Sequence, residues 1–524
     1  MRKPIKSSRG GLVSRTATVP APVKGINARD SLASMDDEDA VYMVNWWPQP
    51  SYIGIRRGYR QHVTGFAAPV ESLCAYNTAT GTTLFAAAGS GIYDATTAGT
   101  VGAAVVSGMT SAYWQHTNFA TSGGTYLYMV NGADEPQLYN GTTWVSVDGL
   151  STPAITGVTT TDLIHVTSHK DRLWFVIKNS LMACFLPSLS IGGAASIFDF
   201  RSLCKRGGYL MAATTWTLDA GEGMDDHLVF VTSKGEMLVY KGTDATSAST
   251  WALVGVWQVA EPVGRRCFAK LGGDVAYLSK SGVQQLSKAL VSTGVNNANT
   301  LSDRIQPLIT RDTEVLGANS GWEVSVFPGQ NMLLVNVPDS STQQHQWAMN
   351  TINGAWTRFE GVNARSWELF GDIPYFGGAT AVYKGWTGFS DNATSTGSTG
   401  ANIAYSALQS FNYFGSKQEK HWKLVRPMLQ SDGEPTFSIG MNFEFDTTAP
   451  TRVVTYGAAG SNPLWGTAVW GAFDWGGGQL RTLASWQHAA GIGYCAALYL
   501  KCESKDIEVR WNSTDHVFEG GGII

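Results

Sequence analysis

Seven times along the chain, a nearly unbroken apolar run meets a tight polar turn and then a shorter run ending in an aromatic or polar edge. Residues 83–87 lead through Gly89-Ser90-Gly91 to Ile92-Tyr93, and Tyr126-Leu127-Tyr128-Met129-Val130 leads through Asn131-Gly132 to Gln137-Leu138-Tyr139. The same form recurs at residues 172–182, 227–240, 275–284, 332–347 and 374–383. A continuous apolar run of this length predicts a strand buried on both faces. Gly and Asn in the turn supply the positive φ that a tight hairpin requires. The runs begin near residues 84, 127, 173, 228, 276, 332 and 374. That spacing of roughly 40–55 residues is the period of a four-stranded propeller blade. The expected fold is therefore all-β: a β-propeller of six or seven blades over residues 66–390, with an irregular array of sandwiches as the rival. Asn140-Gly141-Thr142-Thr143-Trp144 and Asn353-Gly354-Ala355-Trp356 repeat a second turn whose Trp can pack between blades. They resemble the Asp-box turns of sialidase propellers, which are structural even there.

Outside these units the pattern changes. Residues 1–65 read as an N-terminal arm with a short helix and first strands, opening on the basic residues Arg2, Lys3, Lys6 and Arg9. Ser34 is placed to cap that helix, with Asp36, Asp37 and Glu38 in its first turn and Ala40, Val41, Met43 and Val44 on its apolar face; carboxylates favour the positive end of a helix. The acidic run lacks the loop spacing and glycine of a calcium site. Residues 391–400 are polar and rich in Gly, Ser and Thr, and read as a linker. Alternating segments such as 437–445 and 498–503 follow, so residues 391–524 are expected to form a C-terminal β-sandwich-like domain.

Composition narrows the function classes. Only 15% of residues are charged and the net charge is −4, which excludes a protein that grips nucleic acid by neutralising phosphates. Cys74, Cys184, Cys204, Cys267, Cys495 and Cys502 sit in apolar stretches with no Cys-x-x-Cys pair, as expected of reduced core residues. No run of about 18 apolar residues predicts a membrane span.

Candidate chemistry is sparse. His165 and His169 have zinc-helix spacing, but in a strand they stand roughly 13 Å apart. Asp219, Glu222, Asp225 and Asp226 form the densest acidic cluster, expected to be a solvated loop, with a catalytic or cation site as the rival. Asn140, Asn392 and Asn512 head Asn-x-Thr sequences. Arg56-Arg57-Gly58-Tyr59-Arg60 and Lys417-Gln418-Glu419-Lys420-His421-Trp422-Lys423 mix bases with aromatics and suit a subunit contact, with a nucleic-acid contact as the rival. No nucleophile elbow, phosphate loop or dinucleotide fingerprint occurs in context. The expectation is no enzyme, with no catalytic, cofactor-binding or metal residues and no cofactor.

Gly25-Ile26-Asn27, Leu32-Ala33-Ser34-Met35, residues 40–48 ending Asn45-Trp46-Trp47-Pro48, and Ile55-Arg56-Arg57-Gly58-Tyr59 together resemble the opening of podovirus tail nozzle proteins, also called tail tubular protein B or the tail hub. The closing Val517-Phe518-Glu519-Gly520-Gly521-Gly522 is similar to how some of these proteins end. The resemblance implies a virion protein of a short bacteriophage tail, assembled in the bacterial cytoplasm. It implies a self-associated ring, a homohexamer in that family, docking the head–tail adaptor and portal above and tail fibres or spikes outside. Genomic DNA would pass through its channel during ejection without sequence-specific binding. The resemblance assigns no DNA-channel residue. The alternatives are a carbohydrate-binding or glycan-cleaving propeller, such as a phage depolymerase, and a monomeric binding scaffold.

Overall fold

The computed structural model describes residues 14–219, 224–291, 300–394, 400–455 and 480–520. The chain forms two compact units. One comprises Met1–Arg56, Ala355–Thr357 and Asn402–Ile524; the other comprises Arg57–Gly354 and Arg358–Ala401. The propeller is thus an insertion in a unit that both ends of the chain build.

The propeller unit has seven antiparallel blades among its described residues. The second strands of those blades are Gly81–Ala88, Gly124–Val130, Arg172–Ile177, Met224–Thr232, Asp274–Ser279, Met332–Pro338 and Ile373–Gly377. Each contains one of the seven apolar runs. Each lies between a more polar inner strand and a third, outer strand, so both of its edges are paired, and consecutive residues along it are buried on both faces. The inner strands are Val70–Thr78, Gln115–Thr121, Leu163–His169, Leu210–Asp219, Phe268–Leu271, Glu323–Phe327 and Ser366–Phe370. Aromatic residues fill the space between blades. Trp174 stacks on Trp251 at 5.6 Å and meets Phe230 at 5.8 Å, joining the third and fourth blades. Trp144, after the Asn140 turn, meets Phe85 of the first blade at 4.8 Å. Asn140 holds that turn by accepting from the backbone N–H of Thr142 and Thr143.

The ring closes on itself. Arg60–Thr64, from the start of the unit, is the fourth strand of the seventh blade and pairs antiparallel with Ala381–Lys384. Gly58 enters that closure with almost no clearance: a Cβ there would lie 1.9 Å from the carbonyl oxygen of Ser390. Gly58→Ala should therefore cost about 1–3 kcal/mol by forcing the strand away from its partner. Denaturant titration of the variant checks this, and a midpoint equal to wild type would refute it.

The other unit is a pair of sheets. In one, Trp46–Pro48, Ile53–Ile55, Val509–Gly520, Lys420–Ser431 and Arg481–Leu483 follow in that order, and Ser14–Pro20 lies along Val509–Gly520. In the other, Ala40–Val44, Ile403–Gln409, Ala496–Ser504, Thr436–Phe443 and Val453–Thr455 are neighbours. They meet through buried aromatics. Trp46 contacts Tyr405 edge-on at 4.9 Å, and Trp422 meets Phe443 at 6.1 Å. Within the expected arm over residues 1–65, Ser14–Pro20 is thus a strand of this unit, whereas Arg60–Thr64 belongs to the propeller.

Two expectations are corrected here. The helix over residues 34–44 does not form. Ala40–Val44 is a strand on Ile403–Gln409, because its β-branched and apolar residues gain more from a sheet face than a short isolated helix can offer. The acidic residues act locally instead: Asp39 accepts from Asn27 Nδ2 at 2.7 Å and from the Asp36 N–H at 3.2 Å. The two basic clusters are also not free contact surfaces throughout. Arg56 is buried, and its Nε donates to Asn45 Oδ1 at 2.8 Å. Lys420 is buried too, and its ammonium donates to the carbonyls of Ser416, Gln418 and Tyr494.

Candidate functional site

Seven inner strands stand at the axial edges of their blades; each forms a ladder with the second strand of its own blade, and Glu323–Phe327 also makes a parallel bridge to Arg266 through the Val324 N–H and the Arg266 carbonyl. They surround a cavity of about 480 Å³. Every blade contributes: Leu73, Gln115, Val166, Ala213, Ala269, Val324 and Glu368 all line it.

Arg266, just before the fifth blade's inner strand, is the main polar brace of this axis. Its Nη1 donates to Glu323 Oε2 at 3.0 Å, and its Nη2 donates to Ser72 Oγ at 2.6 Å, Trp114 O at 3.1 Å and Glu71 O at 3.2 Å. The guanidinium lies 4.4 Å from the centre of the Tyr113 ring. The side chains of Arg266 and Glu323 are only 10% and 8% exposed. Glu323 also accepts from Ser325 Oγ and the Trp367 N–H. Burial raises the Glu323 carboxyl, and the nearby guanidinium opposes that rise. One arginine therefore ties the first, fifth and sixth blades together.

Glu368 and His116 form a second pair, from the seventh and second blades, at 3.2 Å. The spacing is that of an ion pair, but burial pushes Glu368 up to about 8 and His116 down to about 4. At neutral pH these directions leave the carboxyl protonated and the imidazole neutral, so the contact is not an ion pair. Glu368 also accepts from the Leu369 N–H at 3.0 Å.

Two further groups in the cavity wall are less satisfied. His165 lines it, and burial with the adjacent Arg265 charge lowers this imidazole to about 4. Its Nδ1 is buried without a hydrogen-bond partner. Arg265 donates to Asn131 O at 3.3 Å and, among the described residues, has no carboxylate partner.

The structure separates the residues singled out from the sequence. His165 is on the axis. His169, on the same strand, instead packs between blades, with Nδ1 3.3 Å from Thr215 Oγ1. Asp226 pairs with Lys170 at 3.0 Å on a hairpin away from the cavity lining. Glu222 lies outside the described residues, as do the side chains of Asp219 and Asp225. All six cysteines are buried and free. Among the described residues no cluster could hold a metal ion, and no helix is long and apolar enough to cross a membrane. Glu323, Glu368, His116, Arg265 and Arg266 were not singled out from the sequence. Their one signal is polarity in short segments just upstream of each apolar run.

No protein-family model and no characterised protein matches this sequence. Among solved structures the chain is similar to an exo-β-1,3-galactanase from Phanerochaete chrysosporium with galactose, at 9% identity over 75% of this chain and 95% of that one, with a TM-score of 0.24. It is similar to a glycoside hydrolase family 43 arabinoxylan arabinofuranohydrolase from Bacillus subtilis in complex with cellotetraose, at 9% identity over 94% and 96%, with a TM-score of 0.25. A third is a Trypanosoma rangeli sialidase in complex with 2,3-difluorosialic acid, at 10% identity over 97% and 96%, with a TM-score of 0.27. These likenesses concern the all-β propeller fold. The expectation of no enzyme is corrected by them: the similar structures are glycoside hydrolases and a sialidase. That expectation relied on contiguous motifs, whereas a propeller assembles its axial groups from separate blades.

Proposed function

We propose that this chain is the ring-forming nozzle subunit of a short bacteriophage tail, through which DNA leaves the capsid and to which adaptor and fibres dock. The observation that carries this reading is the outermost strand of the fourth blade, Trp251–Gln258. It pairs with Glu236–Gly242 on one side only and exposes Leu253, Val254 and Val256 to 38%, 45% and 40%. A free edge with apolar side chains invites association unless another subunit covers it. The N-terminal resemblance adds to it. Among the residues that carry the likeness, Asn45 adopts a left-handed φ of 58° and holds Arg56, and Trp46 and Trp47 are buried.

The purified protein should run as a ring several times heavier than 56.3 kDa, and Val254→Glu should release subunits by placing a charge in the interface. Light scattering and negative-stain microscopy read both. A wild-type monomer at micromolar concentration would sink the reading.

A second reading is a glycan-binding or glycan-cleaving propeller. The specific observation in its favour is a pair of acidic side chains, Glu323 and Glu368, in one cavity wall with unlike surroundings: one beside a guanidinium, one protonated at neutral pH. Glycoside hydrolysis uses two carboxyl groups in such different states. Release of reducing sugar from host polysaccharide, abolished by Glu323→Gln, is its test.

A further inference from the structure

We propose that His345 is a proton-controlled clamp: as an imidazolium it ties the helix Gln306–Leu316 to the sixth blade, and on losing its proton it lets that helix go. The inference is independent of both the nozzle and the glycan readings.

The place of the helix is the first argument. Among the described residues the fifth blade has three strands, Phe268–Leu271, Asp274–Ser279 and Gly282–Gln285, where each of the other blades has at least four. After that third strand the chain turns helical, and Gln306–Leu316 stands against it. Side chains fasten the helix to this blade: Gln306 Nε2 donates to the Ser281 carbonyl, and Thr313 Oγ1 donates to the Lys280 carbonyl. An element held by side-chain bonds opens more readily than a strand held by a ladder.

The bond to the sixth blade is the second argument. His345, on the strand Gln344–Asn350, is only 3% exposed and has a carboxylate at each ring nitrogen. Nδ1 lies 2.8 and 2.9 Å from the two oxygens of Asp339, at the tip of the same hairpin. Nε2 lies 3.2 Å from Asp312 Oδ2, on the helix. A neutral imidazole carries one N–H, so both contacts are hydrogen bonds to carboxylates only when the ring is charged. Burial opposes that charge, but the bonds to Asp312 and Asp339 overcome it and raise His345 above its ordinary value of 6.5, against the charge of Arg358 on the next strand. Burial likewise opposes the charge of Asp312, and the bonds from His345 and from Trp347 Nε1, at 2.8 Å, outweigh it and lower this carboxyl.

Loss of the proton is asymmetric. The remaining N–H stays at Nδ1, where two oxygens share it, so Nε2 turns a lone pair toward the Asp312 carboxylate. The helix loses a bond and gains a repulsion, while Asp339 keeps its own. The clamp is therefore fully closed below 6.5 and opens as pH rises through the raised value.

The test is hydrogen exchange of the full-length protein, comparing the protection of the Gln306–Leu316 amides with those of Met332–Pro338 inside the sixth blade. Between about pH 6 and about pH 9, helix protection should fall about tenfold or more relative to the strand. Asp312→Asn should abolish that fall, because its amide can donate to a neutral Nε2 and its oxygen can still accept from Trp347. Asp339→Asn should move the fall to lower pH, since it removes one of the anions that hold the proton, and it serves if Asp312→Asn does not fold. Helix protection in step with the strand across the range would overturn the proposal. So would a fall in Asp312→Asn like that of wild type, or a fall in Asp339→Asn at the wild-type pH.

Discussion

Arg266→Met destabilises the propeller by about 3–5 kcal/mol, because it strips a buried carboxylate of its partner. The size follows from what is left behind. Glu323 is 8% exposed, and the methionine offers nothing to its Oε2 or to Ser72 Oγ and the carbonyls of Glu71 and Trp114. Arg266→Lys should recover little, since an ammonium cannot reach a carboxylate, a hydroxyl and two carbonyls from one rigid plane. Removing both charges in Arg266→Met/Glu323→Gln should restore much of the loss, because the penalty belongs mainly to the orphaned charge. Denaturant titration of the three variants decides it. A single variant within 1 kcal/mol of wild type, or a double variant worse than the sum of the singles, would refute the bracing role.

Glu368→Gln has the opposite sign and depends on pH. Burial disfavours its charge and pushes the folded carboxyl up to about 8 from its ordinary value of 4.5. Below the unfolded pKa both states hold the proton and nothing is lost. As pH rises from about 4.5 to about 8, the unfolded chain gives up the proton that the folded chain retains, and stability falls. At about 1.4 kcal/mol per unit the full loss is on the order of 5 kcal/mol. Glutamine imitates the protonated acid: its oxygen can accept from the Leu369 N–H and its amide can donate to His116. The variant should match wild type near pH 4.5 and exceed it by about that amount at pH 9. Buried histidines such as His116 and His165, both lowered to about 4, pull the other way below pH 6.5. The decisive quantity is therefore the difference between variant and wild type across the range, and a flat difference would overturn the assignment.

The expected repeat and the observed blades agree in one specific way. All seven apolar runs are second strands, the ones covered on both faces, so burial wrote them into the sequence as continuous Val, Leu, Phe and Ala. Inner strands carry His116, His165, Glu323 and Glu368 because one edge faces the axis. In a linear reading these polar residues look like turns or solvent-facing positions.

The sequence by itself determined the all-β class, the blade period and the burial of the cysteines, because each depends on local alternation and on side-chain hydrophobicity. Tertiary structure alone decided three things. It joined Ser14–Pro20 to Val509–Gly520, making one unit from the two ends of the chain. It replaced a well-signalled helix with Ala40–Val44 on a sheet, since a distant partner strand outweighed local capping. It also gathered the axial groups, with His116 and Glu368 in contact across 3.2 Å. No spacing rule reports that contact, because closing a ring of blades brings together residues that the chain keeps far apart.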